Sequence, residues 1–212
     1  MKKIVSLLMA AVVLLTAGLS CTGCAKLDTT GLLEAAPELI ERSATLNEIY
    51  YGEGIPYDEN DVGATGHYYP ADKTYLAEAG FSTVTELKSL TAEVFSADYC
   101  AILYQSALEG FAAEGSGYVY ARYSSSQPEN LRNEKETILV YSQHTGTTIG
   151  QSTYDFSTLK LGEVGKDFAT VTLSVRTVYA PSELMPDGLT TTDEMNIRFV
   201  YENGWRIDSP TY

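Results

Sequence analysis

The residues with the clearest chemical meaning in this chain are two cysteines, Cys21 and Cys24, at the end of an uncharged apolar run. Met1-Lys2-Lys3 is basic, and Ile4 to Ala17 carries no charge and is mostly Leu, Val, Ala and Met. A basic start, an apolar stretch and small residues before a cleavage point describe an export signal. In a lipoprotein signal a small residue precedes the cysteine that becomes the new, lipid-bearing N-terminus. Gly23 before Cys24 meets this, with Thr22 behind it, and lipidation is assigned to Cys24. Ser20 before Cys21 offers the alternative position. The competing readings are a cleaved, secreted form and an uncleaved anchor, the latter because Ile4 to Ala25 matches the roughly 20 residues a spanning helix needs. The segment Gly-Leu-Ser-Cys-Thr-Gly-Cys at its outer end has no purpose in such a helix. Residues 1–24 are therefore read as a signal peptide, 25–31 as a tether and 32–212 as one domain. Every version places that domain outside the cytoplasm, and the favoured one puts it on the outer face of the membrane with a lipid as its only membrane attachment.

The rest of the chain is poor in reactive groups. Cys100 is the only cysteine after Cys24 and lies in an apolar stretch, Tyr99 to Leu103. Nothing near it would stabilise a thiolate, so a buried inert thiol is expected. The two histidines, His67 and His144, belong to no zinc-type spacing. Neither a nucleophile elbow nor a phosphate loop occurs. Asp58, Asn60 and Asp61 hint at a calcium loop, but Val62 breaks the alternation such a loop requires. Asp98, Asp155 and Asp167 are candidate general bases only if the fold places one in a dry pocket. No catalytic residue, metal ligand or cofactor is assigned.

Charge narrows the partner. The chain has 14 basic and 28 acidic residues, a formal net charge of −14. Removing Lys2 and Lys3 with the signal leaves 12 basic against 28 acidic residues, a net of −16. Nucleic acid and electrostatic attachment to anionic lipid are disfavoured, and a basic protein partner is the complementary choice. Tyrosine is abundant, 16 against 6 Phe and 1 Trp. Many tyrosines gather around one acidic, Gly-rich segment. Tyr50, Tyr51, Tyr57, Asp58, Glu59, Asp61, Tyr68 and Tyr69, with Tyr75 beyond, form the candidate partner surface, since aromatic anchors rimmed by acid suit a basic protein.

The elements that must position these residues follow from periodicity. Leu32 to Ile49 reads as a helix, with Pro37 expected in its first turn. Gly52 to Lys73 reads as a long loop. Thr83-Val-Thr-Glu86 is a capping box that opens a helix to about Phe95, and Ser96 restarts a helix ending near Gly110. From Gly117 the period becomes two. Strands are expected at 118–123, 137–141, 154–161, 168–179, with Val171, Leu173 and Val175 inward, and 193–201, alternating through Met195, Ile197, Phe199 and Tyr201. Asn203-Gly204 is a hairpin turn leading into Trp205 to Asp208.

Helices followed by consecutive strands make an α+β domain, N-terminal helices packed on a curved antiparallel sheet. This order, with the closing Glu202-Asn-Gly-Trp-Arg-Ile-Asp208 and the stretches Leu87-Lys-Ser-Leu90 and Val94-Phe-Ser96, resembles the NTF2-like or cystatin-like cone. Within it, the chain looks like secreted inhibitors of cell-wall DL-endopeptidases in Gram-positive bacteria. That resemblance implies a non-catalytic domain that binds a cell-envelope protein and inhibits a peptidoglycan endopeptidase. The alternative is a small-molecule binder or isomerase-like enzyme using the concave face of the cone.

Overall fold

The computed structural model describes residues 26–60, 66–113, 117–126, 136–144, 150–181 and 186–212. The signal segment, Cys21, Cys24 and Asp61 lie outside the described residues. Among the described residues no helix is long and apolar enough to cross a membrane.

Helix α1, Leu32–Tyr50, buries Leu32, Ala36, Leu39, Ile40, Ser43, Leu46, Asn47 and Tyr50, one stripe at helical spacing. Its start corrects the expectation for Pro37, which sits inside the helix rather than in its first turn. Proline there removes one backbone hydrogen bond. The upstream turn survives because Leu32 and Ala36 are fully buried, and apolar burial outweighs a single missing bond.

The main sheet is an antiparallel meander, β6 (Gln151–Val164), β7 (Phe168–Tyr179), β8 (Leu189–Tyr201) and β9 (Trp205–Ile207), in that order. Alternation sets its inner face. Ala169, Val171, Leu173 and Val175 of β7 point inward, and Ile197 and Phe199 of β8 sit opposite Val171 and Ala169. Tyr201, expected to continue the inward series, is 59% exposed and meets Trp205 edge-on at 5.3 Å. Asn203 at φ 55 and Gly204 at φ 136 make the final turn tight, as the Asn-Gly pair requires. Trp205 is buried, and its Nε1 donates to the Thr30 carbonyl at 3.3 Å. The Leu27 N–H reaches the Gly165 carbonyl at 2.9 Å, so the segment expected to be a tether is docked from Leu27 onward.

Three further helices follow. The loop expected to run to Lys73 gives way there to α2, Lys73–Ala79, capped by the Asp72 carboxylate and closed by Gly80 at φ 80. Helix α3, Val84–Val94, begins at the expected capping box, with the Glu86 N–H donating to Thr83 Oγ1 at 3.1 Å and the Thr83 N–H to Glu86 Oε2 at 3.2 Å. Replacing Thr83 with Ala should cost about 1 kcal/mol, read as a fall in melting temperature of about 2–4 °C. An unchanged melting curve would show that the box does not stabilise this helix. Helix α4, Ala97–Tyr104, starts at Ser96 and ends in a π-helical turn, Gln105–Glu109, before Gly110. Ser96 and Phe95 join this layer to the sheet: the Ser96 N–H donates to Ile207 O at 2.9 Å, and the Ser96 hydroxyl donates to Asp208.

The expected strand at 118–123 is two strands in two sheets. β3, Gly117–Val119, forms a hairpin with β2, Phe111–Ala113. β4, Tyr123–Ser126, pairs with β5, Thr137–Tyr141, which also pairs with β1, Tyr68–Pro70. The chain breaks at Ala121-Arg122 because Arg122 turns inward, 2% exposed, to donate from Nη2 to Gly52 O at 2.6 Å. The protein is thus α+β with antiparallel sheets.

Candidate functional site

The tyrosines expected to form one surface are divided by the fold. Tyr50 is in the core, 4% exposed, its hydroxyl 2.8 Å from Thr91 Oγ1. Burial pushes its ionisation well above the ordinary tyrosine range. This is a correction: i,i+3/4 spacing places Tyr50 on the buried stripe of α1 with Leu46 and Asn47. Tyr51, one residue later, is half-buried and packs against Tyr212 at 4.7 Å, away from the rest. Tyr75 is half-buried in α2.

The remaining tyrosines meet on the small sheet β1-β5-β4. Alternation along β1 separates neighbours. Tyr69 pairs with Val140, on the face that also holds Tyr123 and Ile138, and stacks on Tyr57 at 5.5 Å. Tyr68 pairs with Tyr141 on the opposite, outward face, their rings 5.1 Å apart. Tyr120, 51% exposed, stacks on Tyr141 at 5.2 Å, and His67 approaches it edge-on at 6.2 Å. The Tyr68 hydroxyl donates to Ala121 O at 2.7 Å. The result is a cluster of three tyrosines and a histidine with partly exposed rings. Asp58 and Glu59 follow Tyr57, which bridges to Ala71 just beyond β1, and both are exposed. The Asp58 carboxylate accepts from Asn60 N–H at 2.8 Å and Asn60 Nδ2 at 3.0 Å, a self-contained turn.

Tyr120 and Tyr141 were not among the sequence candidates. The signal was local: Tyr118, Tyr120 and Tyr141 read as ordinary strand aromatics, and only the pairing of β1 with β5 brings Tyr141 to Tyr68.

For catalysis the described residues offer little. Asp98, Asp155 and Asp167 are all exposed. Asp155 instead stabilises the bulge of β6, accepting from the Ser157 N–H at 3.1 Å and the Ser157 hydroxyl at 2.5 Å. Among the described residues no group of three or more His, Cys, Asp or Glu is placed to hold a metal ion. Cys100 is buried and its thiol is pushed up by desolvation, as an inert core thiol would be. No protein-family model matches the chain, and no match is found among curated proteins or solved structures.

Proposed function

We propose that the chain is a non-catalytic, lipid-anchored domain on the outer face of the membrane that binds a basic protein of the cell envelope through the outward face of the β1-β5-β4 sheet. Inhibition of a peptidoglycan endopeptidase is the activity this reading names. It treats helix α1 over the meander as an NTF2-like or cystatin-like arrangement. The observation that carries it is the cluster of Tyr68, Tyr120, Tyr141 and His67 on one sheet face. Rigid tyrosines supply contact area at low entropic cost, and anchors of this kind dominate interface energies. A chain with a net charge of −16 after loss of Lys2 and Lys3 with the signal, 12 basic against 28 acidic residues, would draw a basic partner and lose it as salt rises.

The test is capture from cell-envelope extract with the full-length protein in detergent, followed by assay of the captured hydrolase. A cell-wall hydrolase should be retained at low salt, released at high salt and slowed by the protein. Tyr120→Ala should weaken binding about tenfold, a little over 1 kcal/mol, while leaving the melting temperature unchanged because the ring is half exposed. If no wall protein is retained and a panel of wall endopeptidases runs at full rate, this function is wrong.

A further inference from the structure

A cleft of about 300 Å³ lies between α1 and the start of β6, away from the tyrosine sheet face. Thr45, Asn47 and Glu48 of α1 line one side, Gln151 and Tyr154 of β6 the other, and Tyr212 closes one end. Its size falls at the lower end of ligand pockets, about 300–1,000 Å³. None of its described lining residues is basic.

Asn47 gives the cleft its chemistry. It is 3% exposed, and its Oδ1 has no hydrogen-bond partner. The orientation of this carboxamide is fixed by a chain of hydroxyls beneath it. Ser43 Oγ donates to Ile40 O at 2.7 Å, so its proton is committed. Thr211 Oγ1, 2.7 Å from Ser43 Oγ, must therefore donate to it. Thr211 Oγ1 is then left to accept, and Asn47 Nδ2 donates to it at 2.7 Å. Turning the amide over would set its oxygen against a hydroxyl whose proton is already used. The orphan is thus an acceptor, and a buried acceptor without a donor costs about 1–3 kcal/mol. Glu48, exposed on the same helix wall, adds a negative charge, its carboxylate lying over Gly52 and accepting from the Glu53 N–H at 3.0 Å.

We infer that this cleft binds a primary ammonium group, which donates one N–H to Asn47 Oδ1 and takes its counter-charge from Glu48 on the same helix wall. An ammonium carries three donors and no acceptor, so it matches a cleft lined by an orphan acceptor and an acid. Tyr154 and Tyr212 line it, and desolvation pushes the ionisation of both hydroxyls up, so the tyrosines add no competing charge. The group can come from a free small amine or from a lysine side chain of a bound protein. The inference does not rest on the tyrosine face.

The test is calorimetric titration of the full-length protein in detergent with n-butylammonium and with Nα-acetyl-lysine methylamide. Binding with a dissociation constant on the order of 1 mM is expected for so small a ligand. Butyltrimethylammonium, which has no N–H, should bind at least about tenfold more weakly. Glu48→Gln, at an exposed position that leaves the core intact, should weaken the primary amine severalfold. Asn47→Leu should abolish its binding, provided the far-ultraviolet spectrum stays native. Binding of butylammonium alone identifies a free amine as the ligand class, and binding of the lysine derivative identifies a protein lysine. Failure of both primary amines at about ten times that concentration overturns the inference, as does equal affinity for the quaternary analogue.

Discussion

Gly54→Ala is expected to destabilise the protein by about 2–5 kcal/mol, although it adds one methyl group at a partly exposed turn. Gly54 sits at φ +86, where a residue with a Cβ is strained by about 1–2 kcal/mol. The added carbon would also lie 2.3 Å from Arg122 Nη2 and 2.6 Å from the Tyr123 hydroxyl. Neither neighbour can move freely. Arg122 Nη2 is bonded to Gly52 O at 2.6 Å, and the Tyr123 hydroxyl donates to Ile49 O at 2.6 Å while accepting from the Ile55 N–H at 3.1 Å. Tyr123 is fully buried, and desolvation holds its ionisation up to about 12. Overpacking such a site costs about 1–3 kcal/mol. The melting temperature should fall by roughly 4–20 °C at about 2–4 °C per kcal/mol. Gly80→Ala is the control: Gly80 has φ +80 but nothing within 4 Å of an added Cβ, so it should show the backbone cost alone. Equal losses for the two variants would show that the Arg122–Tyr123 clamp does not crowd Gly54.

Thr211→Val should cost about 2–4 kcal/mol with almost no change in volume. Thr211 is fully buried, and its hydroxyl stands between Ser43 Oγ and Asn47 Nδ2, each at 2.7 Å. Valine leaves the entire Asn47 carboxamide unpaired and strips Ser43 of its donor. Each such buried group costs about 1–3 kcal/mol. The triple change Ser43→Ala, Asn47→Leu, Thr211→Val should recover much of the loss, because removing all partners of a buried network together is nearly neutral. The coupling measured by this cycle should be about 0.5–3 kcal/mol. A melting shift below about 1 °C for Thr211→Val would mean that water enters and satisfies these groups. The hydroxyls of Ser43 and Thr211 are the ones that orient Asn47 beneath the cleft.

The sequence by itself determined the elements whose causes are local. The capping box at Thr83, the cap at Ser96, the Asn203-Gly204 turn and the full span of β7 at Phe168–Tyr179 depend on residues within a few positions of one another. Burial of Cys100 and the inward series of β7 were legible for the same reason, since side chains that are apolar in a row, or at every second position, leave water together as one strip. α2 was missed although Asp72 caps it and Gly80 ends it, because those two signals stand at the end of a stretch dominated by glycine and proline.

Tertiary structure decided whatever depended on distant partners. Alternating aromatic and small residues from Tyr118 to Tyr123 satisfy any strand, so only the burial of Arg122 against Gly52 shows where one sheet stops and another begins. Tyr50 and Tyr51 are adjacent in sequence, yet one helical step of about 100° sends one into the core and the other to Tyr212. The outward tyrosine cluster exists because β1 pairs in a register that sets Tyr68 opposite Tyr141, 73 positions away. A shift of one residue would have turned those rings to the other face. The unpaired Asn47 oxygen likewise follows from a hydroxyl 164 positions away. Local physics fixes the elements, while long-range register and packing fix which side chains share a surface, and the candidate binding sites belong to the second.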